Sequence, residues 1–224
     1  MYNSKDMKCL RIIKVFAISL LFYGIKLQAA FANDYTILAF GDSLTAGYGL
    51  MPEQGFTYQL EQGLRQDGHD ITVVNAGVSG DTTSGGLSRL EWVLSSIKDG
   101  KPDLMLLELG ANDALRGLTP ALTRANMDAM LTILQKAKVK TIVAGMIAPP
   151  NMGADYGQKF NRIFPELSKK YNMVLYPFFL EGVAGNRHLN QSDAMHPNSD
   201  GVAIIVEKIM PYIEDSLQIS PQKP

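Results

Sequence analysis

The sequence predicts a single α/β domain of three layers, with helices on both faces of a five-stranded parallel sheet. Short β-branched runs alternate with longer helical patterns, as βαβ units require. Each run is apolar nearly throughout, as expected of a strand covered on both faces. No internal repeat, low-complexity linker or charge block divides the chain. The strands are read at YTILAF (35–40), ITVVNA (71–76), DLMLLEL (103–109), TIVAGMI (141–147) and MVLYPFF (173–179). Helices are read over 55–67, 83–98, 120–137, 157–171 and 200–216. In the last helix Val202, Ile205, Val206, Ile209 and Ile213 recur at helical spacing, leaving Glu207, Lys208 and Glu214 for water.

With 224 residues, 46% of them apolar, the chain has material for one sizeable core. Its first 32 residues are of a different kind. Lys5, Lys8, Arg11 and Lys14 lead into the apolar run VFAISLLFYGI, and Ala30 and Ala32 flank Phe31. Those are the basic region, apolar region and small-residue cleavage site of a secretory signal peptide. The run is well short of the roughly 20 residues that span a bilayer, and Lys26 ends it. Residues 1–32 are therefore read as a cleaved leader and 33–224 as the mature domain, exported to the periplasm or beyond; the alternative is an uncleaved amphipathic anchor. Cleavage would remove five basic side chains (Lys5, Lys8, Arg11, Lys14, Lys26) and Asp6, leaving 16 basic against 21 acidic groups, a net charge of −5. A net-acidic chain without basic clusters argues against nucleic acid as a partner and has no attraction for anionic lipid. The one cysteine, Cys9, lies in the leader, so a mature domain would have no thiol nucleophile and no disulfide.

In a parallel sheet the loops at the carboxyl ends of the strands share one edge, and ligands bind there. The first strand leaves through FGDSLTAGYG, which puts Ser43 at that edge at the start of a tight turn. A serine needs a base to become a nucleophile, and histidine suits the task near neutrality. His69, in the polar turn RQDGHD before the second strand, is read as a surface residue on the opposite edge. His188 is read as a solvated loop residue. His196, in QSDAMHPNSDG, has Asp193 three residues before it, so the carboxylate can reach back to one imidazole nitrogen and leave the other facing Ser43. Acyl transfer also needs donors for a developing oxyanion. Gly80, in NAGVSGDTT, and Asn112, in LGANDALRG, stand after the second and third strands and could join the Ser43 amide. Each position has a plainer explanation: Ser43 or Asp42 as a helix cap, Gly80 as a turn with positive φ, and Asn112, Asp193 and His196 as local loop contacts.

The segments GDSLTAGYG, NAGVSGDTT, LELGANDALRG and SDAMHPNSDG resemble, in order and content, the four motif blocks of the SGNH hydrolases, the GDSL esterase and lipase family. The resemblance covers nearly the whole mature chain. It is strongest to the bacterial periplasmic branch of thioesterase I, lysophospholipase L1 and arylesterase, which APPNMGADYGQKFN and LYPFFLEGV also resemble. It implies a flavodoxin-like sandwich with strand order 2-1-3-4-5. It also implies Ser43 as nucleophile, His196 as general base and acid, Asp193 as the residue that orients it, and the Ser43 amide, Gly80 and Asn112 as oxyanion hole. No cofactor or metal is implied. The implied partner is a small ester or thioester, lysophospholipids included. The sequence leaves the oligomeric state open, with a monomer favoured, and the leader reading leaves no stable membrane anchor after cleavage.

Asp42 is expected to hold loops together rather than to serve as the triad acid. The segments from Ala148 to Tyr156 and from Leu115 to Leu118 are expected either to wall an apolar acyl groove or to pack on each other beside the site. Two other functions fit the same fold: a carbohydrate O-deacetylase, which would need a polar, aromatic-lined cleft, and a non-catalytic periplasmic binding module. Trp92, read as helix packing, weakens the first.

Overall fold

The computed structural model describes residues 35–97 and 101–220; the leader read over 1–32, with Cys9, lies outside them. Strands β1 (Tyr35–Gly41), β2 (Ile71–Gly77), β3 (Leu104–Glu108), β4 (Thr141–Ala144) and β5 (Val174–Tyr176) form one sheet. All pairings are parallel, in the order β2-β1-β3-β4-β5, with Phe40 opposite Ala76 on one side and Leu107 on the other. The helices are α1 (Ser43–Ala46), α2 (Phe56–Gln66), α3 (Thr83–Ser96), α4 (Ala111–Leu115), α5 (Pro120–Lys136), α6 (Ala154–Asn161), α7 (Ile163–Tyr171) and α8 (Ser199–Leu217). On one face of the sheet α2 packs with α8; on the other, α3 packs on α5 and α5 on α7.

The local chemistry explains these elements. Helix α5 begins where the Thr119 side chain accepts the Leu122 amide and Pro120 supplies a fixed φ. It then buries Thr123, Met127, Met130, Leu131 and Leu134, the inward stripe of a 3.6-residue repeat. Helix α8 buries the predicted stripe from Val202 to Ile213. Strand β3 is buried at every position, as the apolar run implies, although its last residue is Glu108.

Four expectations are corrected. Strands β3, β4 and β5 are shorter than the apolar runs, most of all β5, because Pro177 has no amide to continue the ladder. The single helix read over 157–171 is two helices. Pro165 is the third residue of α7, where it cannot donate to the carbonyl of Asn161 and its ring crowds that group, so the chain breaks at Arg162. His69 is buried, with its Nε2 3.6 Å from Oε1 of Glu214, which turns inward from α8 rather than facing water. Trp92 is 72% exposed, on the side of α3 opposite the buried Leu90, Val93 and Leu94. A polar turn and an aromatic in a helix are poor guides to burial when a neighbouring element decides the surface each meets.

At the end of β4 the chain comes close to the segment after β5. The Gly145 amide donates to Tyr176 O (2.8 Å) and Gly145 O accepts from the Phe179 amide (2.9 Å). A Cβ at position 145 would stand 2.2 Å from Pro177 O. Gly145→Ala is therefore expected to destabilise the protein by about 1–3 kcal/mol. Urea unfolding with an unchanged midpoint would contradict this.

Candidate active site

The order β2-β1-β3 makes β1 the point where the chain turns from one side of the sheet to the other. The loops after β1 and β3 diverge there and leave a crevice. Ser43 is the first residue of α1, directly after β1, and is 9% exposed. Asp42 caps this helix, its Oδ1 accepting the Leu44 amide (3.0 Å). Beneath the turn lies Glu108, fully buried at the end of β3. Its Oε2 accepts the Thr45 hydroxyl (2.8 Å) and the Asp42 amide (3.2 Å), one donor on each side of Ser43. This packing explains Gly41: a Cβ there would lie 2.1 Å from Thr45 Oγ1 and 2.4 Å from Glu108 Oε2.

His196 is delivered by a closed loop. Asn190 and Pro197 form an antiparallel bridge, Gln191 N–H donates to His196 O (2.8 Å), and Asn198 N–H to Leu189 O (3.0 Å). Gln191 Nε2 also donates to Tyr48 O (2.8 Å) and Pro197 O (3.0 Å), tying this loop to the one after β1. At its tip Asp193 Oδ1 accepts the amides of Met195 (2.9 Å) and His196 (3.0 Å), while Oδ2 contacts His196 Nδ1 at 2.6 Å. Ala194 takes a left-handed conformation (φ 59°) to allow this wrap. His196 Nε2 stands 2.9 Å from Ser43 Oγ. The ring of Tyr48 lies 4.7 Å from the imidazole, tilted by 41°.

The bonds to Asp193 assign the tautomer. The His196 amide, its imidazole and the Met195 amide hold the Asp193 carboxyl at about 2, below the usual 3.8. An ionised carboxylate only accepts, so Nδ1 carries the proton and the Nε2 lone pair faces the serine hydroxyl. The arrangement can take a proton from Ser43 and stabilise the resulting imidazolium.

Three N–H groups follow β1, β2 and β3 on the same edge of the sheet: the Ser43 and Gly80 amides and the Asn112 side chain. Among the described residues neither the Ser43 nor the Gly80 amide donates to a protein acceptor. Asn112 Nδ2 donates one hydrogen to Asp42 Oδ2 (2.9 Å), which leaves the other free. Gly80 (φ 79°) is the third residue of a turn closed by Asp81 N–H to Val78 O (3.0 Å). Asp42 thus joins the nucleophile turn to the loop after β3, as expected of it. Asp113 is buried one position further on; it accepts the Thr83 amide (2.8 Å) and the Thr123 hydroxyl (3.0 Å), tying α4 to α3 and α5.

Ser43, Asn112 and His196 line one cavity of about 560 Å³. Gly80 and Asp193 are not part of its wall; Asp193 acts on it only through His196. The lining is mostly apolar: Leu115, Met146, Ile147, Pro149, Leu180 and Met195 among others. Of the two expected wall segments, Leu115 and Ala148–Pro150 do line the cavity. Tyr156 instead packs away from it, donating its hydroxyl to Leu118 O (2.8 Å), so the two segments partly pack on each other. His188 is exposed and Trp92 is no part of the wall. Among the described residues no group of three or more His, Cys, Asp or Glu converges as a metal site would need.

The sequence match to the GDSL-like Lipase/Acylhydrolase family spans residues 39–204. Esterase TesA of Pseudomonas aeruginosa is 37% identical over 83% of this chain and 91% of its own. The Escherichia coli K12 protein named thioesterase 1/protease 1/lysophospholipase L1 is 35% identical over 77% of this chain and 80% of its own. The crystal structure of AlinE4, an SGNH-hydrolase family esterase, superposes with a TM-score of 0.71 at 46% identity, covering 84% of this chain and 99% of that one. The chain belongs to the GDSL, or SGNH, hydrolase family, whose fold its sheet order and flanking helices reproduce.

Burial, then the nearby Asp42 carboxyl, pushes the Glu108 acid well above its ordinary 4.5. Burial likewise raises Asp42 from 3.8 to about 6. Both groups favour the folded state most when protonated. Their contribution is therefore complete at low pH and is lost as pH rises from the ordinary carboxylate range through the folded-state values. Glu108→Gln keeps an acceptor oxygen but cannot titrate. Its melting temperature relative to wild type is expected to rise as the pH is raised above the ordinary carboxylate range; a gap independent of pH would mean that burial does not raise the Glu108 acid.

Proposed function

We propose that this protein is a serine esterase that hydrolyses carboxylic esters and thioesters by way of an acyl-enzyme. The observation that carries this reading is the chain Asp193–His196–Ser43, with contacts of 2.6 and 2.9 Å, opening on an apolar cavity. His196 Nε2 takes the hydroxyl proton as Ser43 Oγ attacks the carbonyl carbon. The carbonyl oxygen becomes an oxyanion received by the Ser43 and Gly80 amides and the free N–H of Asn112. The imidazolium then protonates the departing alcohol or thiol as the tetrahedral species collapses. A water deprotonated by the same imidazole releases the acid and restores Ser43.

The acyl chain lies along Leu115, Ile147, Pro149 and Met195, and the flexible methionine allows chains of different shape. Thioesters and lysophospholipids enter the proposal through the name of the Escherichia coli relative. A carbohydrate O-deacetylase would want aromatic and polar walls, and this lining, in which Phe178 stands among mostly aliphatic side chains, does not favour one. The basic and apolar pattern of residues 1–32 supports export and cleavage, placing the mature enzyme in the periplasm or outside the cell.

Hydrolysis of p-nitrophenyl esters from acetyl to palmitoyl, alongside a lysophospholipid and an acyl-CoA, tests the reading. Activity is expected to peak at medium chains and to vanish in Ser43→Ala. Activity confined to the acetyl ester would favour a deacetylase, and a fully active Ser43→Ala would end the serine mechanism. Asn112→Ala is expected to fold and to lose on the order of 10²- to 10³-fold in kcat; near-wild-type turnover would remove Asn112 from the oxyanion hole.

A further inference from the structure

From within, the turn that carries Gly80 is held by one main-chain bond, Asp81 N–H to Val78 O, and a glycine at positive φ resists rotation less than any other residue. It is held from outside by an arginine that sequence reading passed over. Arg89, on the inner side of α3, has a side chain 18% exposed and uses every nitrogen of its guanidinium. Nε donates to Asp81 Oδ2 (2.8 Å), Nη1 to Ala76 O (2.9 Å) and Nη2 to Gly41 O (3.0 Å). The guanidinium carbon also sits 3.8 Å from the centre of the Phe40 ring. Gly41 O receives the Val78 amide as well (3.0 Å), so one carbonyl joins the nucleophile strand, the arginine and the first residue of the Gly80 turn. On the solvent side Arg116 Nη2 donates to Gly80 O itself.

We infer that Arg89, assisted by Arg116, is a positioning residue that sets the Gly80 amide relative to Ser43 by clamping the carboxyl ends of β1 and β2 and the 78–81 turn into one unit. The inference rests on the reading of Ser43 as nucleophile and Gly80 as an oxyanion donor. A planar fork with donors in three directions is what three fixed acceptors in different elements require. A lysine could keep the ion pair with Asp81 but could not also bond the two strand carbonyls. A donor moved by a fraction of an ångström weakens its bond to the transition state far more than it weakens binding of the substrate.

The test compares wild type, Arg89→Lys, Arg116→Ala and Ser43→Ala, with active sites counted by burst titration. Each is assayed on a p-nitrophenyl ester and for inhibition by an alkylboronic acid. The tetrahedral adduct of the boronic acid with Ser43 places an oxygen where the oxyanion forms. Arg89→Lys is expected to lose on the order of 10- to 100-fold in kcat per titrated site. KM should be nearly constant, and the boronate inhibition constant should rise in step with the lost kcat. Arg116 is exposed and makes a single bond to the turn, so Arg116→Ala is expected to keep the wild-type melting temperature while showing the same pattern at severalfold size. A purely structural role would lower the count of active sites and leave kcat per site and boronate affinity unchanged, which would overturn the inference. Should Arg89→Lys not fold, wild-type kcat and boronate affinity in Arg116→Ala would overturn it. An active Ser43→Ala would instead remove the mechanism on which it rests.

Discussion

The rest of the site depends on a buried carboxyl group, that of Glu108, placed under the turn that presents Ser43. An acid at the end of a fully buried strand is costly unless it is neutral or well partnered. Here one oxygen gathers the Thr45 hydroxyl and the Asp42 amide, and burial favours the protonated acid. The close packing leaves no room for a side chain at position 41. Gly41, two positions before Ser43, is thus a consequence of the acid beneath the turn. Asp42, fixed by its own amide, directs its carboxylate to Leu44 and Asn112. Ser43 and Asn112 are therefore joined by a single chain of bonds.

His196 reaches the same point by a different route. His196 sits on a loop closed by main-chain bonds at its neck and by Gln191, whose side chain holds both Tyr48 O and Pro197 O. At the tip, Asp193 binds the backbone of the loop with one oxygen and the imidazole with the other. The carboxylate consequently shapes the turn as well as orienting the ring. Such rigidity suits a proton transfer whose rate depends on a contact near 3 Å. The cavity beside it is built from segments that follow different strands and is lined mostly by apolar side chains, Phe178 among them, so the polar groups of the site face a largely apolar space.

Much of this was legible in the sequence because strand periodicity and turn chemistry act locally. The five apolar runs placed the strands, and the serine, glycine, asparagine and Asp193/His196 segments fell after them on one edge. Features set by contact between distant segments were harder to read. Glu108 left one clue, a charge at the end of an otherwise apolar run, but only the packing of Gly41 and Thr45 against it gives that charge a role. Arg89 looked like any polar residue of an amphipathic helix; its three acceptors come from β1, β2 and the turn after β2. His69 and Trp92 were each assigned by local composition, and each is governed by what lies opposite: Glu214 for the histidine and open solvent for the tryptophan. Pro165 lies within the stretch 157–171 whose pattern predicts one helix, although its clash with the preceding turn is a local effect.

The claim on which these relations converge is that Ser43 alone among the serines is made nucleophilic, by His196. Reaction of the mature protein with a fluorophosphonate, followed by digestion and peptide mass analysis, tests it directly. One adduct per chain is expected, on Ser43, forming at a rate that falls sharply in His196→Ala. An adduct on another residue, or continued ester hydrolysis by protein that carries the adduct on Ser43, would contradict it.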